Sequence, residues 1–197
     1  AGQSVMREGS LEGGFADAPT QAARAFRALM QAMARPGTIH TLRGAAPPAP
    51  LSAAAGAAIL TRCDADTPVH LAGPTDCQAV RGWIAFHTGA PAAAPTDCAF
   101  AVGAWADLAP LSAYRVGTPD YPDRSATLIV ECAALAPEGA VLRGPGIRDT
   151  ARLSLPETEA FRANRATYPL GLDFLFTCGD RIAALPRSTR VAMVEDG

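Results

Sequence analysis

Lysine is absent from this 197-residue chain, and all seventeen of its basic residues are arginine. A lysine amine forms the Schiff base with carbonyl substrates or pyridoxal phosphate, and it is the cation of the phosphate-binding P-loop. Both chemistries are therefore excluded for these residues. Arginine can still grip phosphate or carboxylate through the paired hydrogen bonds of its planar fork. Its abundance beside alanine also fits a compositional bias of the genome.

Other absences narrow the field further. Cys63, Cys77, Cys98, Cys132 and Cys178 are odd in number, widely spaced and set among apolar neighbours, with no CxxC pair. They read as small buried hydrophobes of a reducing compartment. The histidines are only His40, His70 and His87, too far apart to share a helical face, so no metal site is expected. The longest charge-free run, Gly44 to Thr61, is mostly alanine interrupted by Pro47, Pro48 and Pro50, so no membrane span is expected. Residues 1–14 lack the basic-then-apolar order of a secretory signal and read as a flexible leader or expression remnant. A cytoplasmic location follows by default, with residues 15–197 as one domain. The net charge of −2, with no basic stripe, argues against nucleic acid as a partner. No Ser-His-Asp spacing, HExxH or GxSxG motif occurs.

With 49% hydrophobic and 18% charged residues, the chain has a globular composition. The spacing of Phe26, Leu29, Met30 and Met33 predicts a helix over 18–34, capped by Asp17, with Pro19 in its first turn and Pro36-Gly37 as its stop. Short strands are expected over 38–42 and ending near Leu71, and an alanine-rich helix with a weak stripe over 51–62. Val80, Trp83, Ile84 and His87 predict a helix over 74–88. Strands are expected at 98–102, 126–133 and 140–144, the middle one so apolar that it should be covered on both faces. Ser154 and Glu157 have capping-box spacing for a helix over 155–164. DFLFTC (173–178) and RIAAL (181–185) should form a hairpin, with a last strand near 190–194. The class is α/β, a mixed sheet with flanking helices.

Four stretches bear on function. LRGPGI (142–147) could cradle a phosphate, but that requires a helix starting directly after the loop. The next expected helix is about ten residues on, so a turn is favoured. Arg143, Arg148 and Arg152 keep an anion site open, and Asp149 could neutralise them. His87 lies in the last turn of its helix, suited to capping it or to moving a proton. Asp173 sits in an apolar run and should have a cationic partner, for which Arg187 is the natural choice. Asp64 and Asp66 could hold magnesium, although as Asx turns they need no metal.

FRALMQAMARPGTI, DADTPVHL, FHTGAP, ATLIV, LRGPGI and PLGLDFLFTCGDRIAALPRSTRV resemble, in this order, the PhnH subunit family of the bacterial carbon-phosphorus lyase system. The resemblance runs from about Phe15 onward. It implies a relative of the pyridoxal-phosphate-dependent transferase fold without its cofactor, paired into a homodimer. It also implies a core complex with PhnG, PhnI and PhnJ subunits. With an ATP-binding-cassette partner, that assembly displaces adenine from ATP to attach an alkylphosphonate to ribose triphosphate, before a radical enzyme breaks the carbon-phosphorus bond. No catalytic residue is implied. The matching positions offered for a ligand pocket or interface are His87, Thr88, Gly144, Gly146, Asp173, Arg187 and Thr189, with a phosphonate or nucleotide as possible ligand. The alternative is a free-standing enzyme on a phosphate-bearing metabolite, with Arg143, Arg148 or Arg187 clamping it and His87 as acid or base.

Overall fold

Alternation along the strands decides the architecture. Leu128 and Val130 are buried toward one side of their strand and Ile129 toward the other; Phe174, Leu175 and Phe176 repeat the pattern. A sheet built of such strands must be covered on both faces. The computed structural model describes residues 12–192. Its elements are α1 (Ala18–Ala34), β1 (His40–Thr41), α2 (Ala53–Arg62), β2 (Val69–Leu71), α3 (Gln78–Thr88), β3 (Phe100–Ala104) and the single turn α4 (Trp105–Leu108). There follow β4 (Thr127–Glu131), β5 (Ala140–Arg143), β6 (Ala151–Leu153), α5 (Glu159–Ala166), β7 (Asp173–Cys178), β8 (Arg181–Leu185) and β9 (Arg190–Ala192).

Six strands form one mixed sheet in the order β1-β8-β7-β4-β3-β2, and β6-β5-β9 form a second, antiparallel sheet. Strands β2, β3, β4 and β7 run parallel, whereas β8 returns antiparallel beside β7. One face of the large sheet packs on α1, α2 and α3, around Ile59, Trp83, Ile129 and Leu175. The other carries the small sheet and α5, around Leu142, Leu153, Phe161, Phe174 and Phe176. Phe161 meets Phe174 edge-on at 4.9 Å, and Trp105 lies 4.8 Å from Phe161. The expected α/β class with a mixed sheet is the fold observed.

Several local expectations differ. The stripe of α1 splits: Ala25, Leu29 and Ala32 are buried, while Phe26 and Met30 stand 48% and 47% exposed. Alanine at positions 25 and 32 lets α1 approach its neighbours closely, and that turns the larger side chains outward. The alanine helix α2 shows a weak stripe because Ala54 to Ile59 are buried continuously, so it has no solvent face to contrast. Asp17 makes no side-chain cap; its backbone N–H donates instead to Gln21 Oε1.

Ser154 does not open a capping box. Its hydroxyl accepts from Ala136 N and its own N–H donates to Ala136 O, fixing it to the preceding loop. Helix α5 therefore starts at Glu159, with Glu157 accepting from Ala160 N and Trp105 Nε1. The end of the last expected strand, and residues 1–11 of the leader expected over 1–14, lie outside the described residues. Within the leader range, Glu12 O accepts from Trp83 Nε1, and Gly13 and Gly14 lie against Ala46 and His87. Among the described residues no helix is long and apolar enough to cross a membrane.

Candidate functional site

Asp173 opens β7 and Arg187 follows β8, so the hairpin brings the two together. Arg187 Nη2 lies 2.8 Å from Asp173 Oδ2, and Arg187 Nε and backbone N both donate to Asp173 Oδ1. Nη1 donates to Pro122 O at 2.6 Å and Nη2 also to Ser125 Oγ. The guanidinium is thus committed to tying the 118–125 loop to the β8–β9 turn, with little left for a ligand. Thr189, two residues on, is 2% exposed, and its Oγ1 has no partner among the described residues.

Gly144 joins this neighbourhood: a Cβ there would lie 3.2 Å from Ser188 O and 3.5 Å from Thr189 Cα. Gly146 faces the end of α1 instead, where a Cβ would fall 1.9 Å from Ala34 O. The loop Gly144-Pro145-Gly146-Ile147 closes with Ile147 N donating to Gly144 O, then leads into β6, not into a helix. Without a helix terminus its N–H groups have no dipole to add to, so it serves as a turn pressed between two elements. Arg143 and Arg148 flank it, both exposed.

His87 and Thr88 lie elsewhere. They end α3, on the face of the large sheet away from the small sheet that Gly144 and Thr189 adjoin. His87 Nε2 sits 3.2 Å from Glu12 O and, facing a carbonyl, must carry the proton. Its ring packs on Trp83 and Phe86. Thr88 Oγ1 donates to Ile84 O and accepts from Ala90 N, closing the helix end. The sequence candidates therefore fall into two groups and do not make one pocket.

Two polar groups lie at the carboxyl ends of the parallel strands, where ligands of open α/β sheets commonly bind. Glu131, last in β4, accepts from Ser52 N and Oγ at 3.0 and 2.7 Å and from Thr177 Oγ1 at 2.5 Å. Ser52 in turn caps α2 through Ala55 N. One carboxylate so fastens the central strands to a helix N-terminus. Glu131→Ala should lose about 2–3 kcal/mol in urea unfolding at unchanged m-value, since Ser52 N and Oγ lose their acceptor and Thr177 Oγ1 keeps only Val130 O at 3.4 Å; a loss below about 0.5 kcal/mol would contradict this.

The second group borders a cavity of about 230 Å³ lined by His70, Leu71, Asp76, Arg81 and Ala92 to Ala94. His70 Nδ1 donates to Ala93 O, Nε2 has no partner among the described residues, and Arg81 grips Asp76 with two hydrogen bonds. That hydrogen bond holds the Asp76 carboxyl below its usual range. A second cavity of about 230 Å³, mostly apolar, lies under α1 between Leu29, Met30, Met33, Phe100 and Leu175, with Arg62 among its lining residues. Asp64 Oδ1 accepts from Asp66 N and Thr67 Oγ1, an Asx turn. The cysteines form no disulfide, and burial pushes the Cys63 thiol up to about 12 and those of Cys98 and Cys132 to about 11. These thiols are unsuited to nucleophilic work.

The pattern of the family described as "Bacterial phosphonate metabolism protein (PhnH)" matches residues 13–192. The chain belongs to the PhnH family. A PhnH-family relative from Rhizobium meliloti (strain 1021), "Alpha-D-ribose 1-methylphosphonate 5-triphosphate synthase subunit PhnH", is 42% identical over 192 residues, 91% of this chain and 94% of the relative. The PhnH match spans every residue singled out above, from His87 to Thr189, as well as Glu131 and His70. Those last two were missed in the sequence although a signal existed. Glu131 closes the apolar run TLIVE, and His70 interrupts the short run PVHL.

Proposed function

We propose that this chain is a non-catalytic subunit of a ribose 1-methylphosphonate 5-triphosphate synthase, supporting the displacement of adenine from ATP by an alkylphosphonate. It works in the cytoplasm as a homodimer, with PhnG-, PhnI- and PhnJ-like subunits as partners and no cofactor of its own. Its domain runs from about residue 15, on a pyridoxal-phosphate-transferase-like fold that has lost the covalent chemistry. The absence of lysine supports that loss, because no Schiff base can form.

The observation that carries the reading is the use already made of the polar side chains. Arg187 and Asp173 are spent on each other and on the 118–125 loop, while His87 and the arginines beside the glycine loop lie on opposite sides of the sheet. This arrangement gives little support to a free-standing enzyme in which His87 and an arginine clamp act on one substrate. Phe26 and Met30 on α1 offer apolar surface suited to a subunit contact. In this reading Gly144, Gly146 and Thr189 shape the surface presented to a partner or to a phosphonate or nucleotide held between subunits.

Growth on methylphosphonate as sole phosphorus source tests the proposal. A strain deleted for its own PhnH-family gene should recover growth when supplied with this chain. Failure to grow, with the protein present in soluble form, would refute the assignment.

A further inference from the structure

The small sheet turns Leu142, Leu153 and Val191 inward, so the alternate residues of its strands face solvent. On that outward face Arg143 stands directly opposite Arg190 in the β5–β9 register, and Arg152 stands opposite Val141, which in turn is opposite Ala192. All three arginines are exposed, and none makes an ion pair among the described residues. Like charges directly opposite in a sheet destabilise it. A protein of net charge −2 thus holds on one open face three cations that no carboxylate pairs with among the described residues.

We infer that this face is the surface by which the chain docks on an acidic patch of a partner protein. The inference deepens the proposed function and rests on it. An isologous contact with a second copy would press these arginines against one another, so a homodimer must use other surfaces. A small phosphate fits poorly, since neither cavity reaches the face and three exposed arginines on an open sheet are screened by salt. An acidic protein surface supplies both the complementary charge and the exclusion of water that strengthens it.

The test uses the full chain with the companion subunits of the synthase, comparing wild type with the triple variant Arg143→Ala, Arg152→Ala, Arg190→Ala. Wild type should be captured, and its affinity should fall about tenfold between ~50 and ~300 mM salt. The triple variant should bind at least about tenfold more weakly, with little salt dependence, while its melting temperature stays level or rises. Equal capture of both proteins overturns the docking face and leaves the subunit assignment standing. No capture of wild type removes the assignment and the inference together. Micromolar binding of inorganic triphosphate that the triple variant loses makes the face a small-anion site and overturns the inference. Stronger capture by Glu195→Gln with Asp196→Asn gives the face an occupant from the same chain, which likewise overturns it.

Discussion

Arg187→Ala is expected to lower stability by about 3 kcal/mol, a fall in Tm of roughly 6–12 °C for a chain of this size. The side chains of Arg187 and Asp173 are only 14% and 19% exposed, so removing one strands the other's charge in a poorly hydrated place. The same substitution leaves Pro122 O and Ser125 Oγ without their donor and frees the 118–125 loop. Arg187→Lys should recover less than half of the loss, because an ammonium cannot span the carboxylate, the carbonyl and the hydroxyl at once. Differential scanning calorimetry of the two variants checks this. An unchanged Tm accompanied by lost binding of a phosphate compound would show instead that the guanidinium serves a ligand.

Gly146→Ala is the second large effect. Its φ of +80° disfavours any side chain, and the added Cβ would meet Ala34 O at 1.9 Å. Together these should remove about 2–5 kcal/mol, since a backbone carbonyl at the end of α1 must move. Gly179→Ala is the control. It has a comparable φ of +60° but nothing within 4 Å of the new Cβ, so the expected loss is only about 1 kcal/mol. Urea unfolding of both variants separates close packing from backbone strain. Equal losses would mean that the glycine-proline-glycine turn is not pressed against α1.

These two sites also show what could be read in the residues and what could not. The hairpin of β7 and β8 was plain, because two apolar runs separated by Gly179-Asp180 allow few other arrangements, and a carboxylate at position 173 had to find a cation. The turn at 144–147 was legible in part: the missing helix argued against a phosphate cradle, but no local pattern shows that Gly146 meets α1, more than a hundred residues away in sequence. Phe26 and Met30 misled because helical spacing reports a stripe, whereas Ala25 and Ala32 decided which side of α1 could come closest to the core. Ser154 had the spacing of a cap and spends its hydroxyl on Ala136, a choice fixed by tertiary packing. Glu131 escaped notice since its partners, Ser52 and Thr177, come from segments 79 and 46 residues away.

In the proposed function, this chain supports chemistry done in an assembly. Adenine release from ATP and methylphosphonate, measured while the purified chain is titrated into its companion subunits, tests that most directly. The rate should rise to a plateau at a fixed stoichiometry, with no release by the chain alone. Turnover by the isolated chain, or a rate that keeps climbing past saturation of the complex, would contradict it.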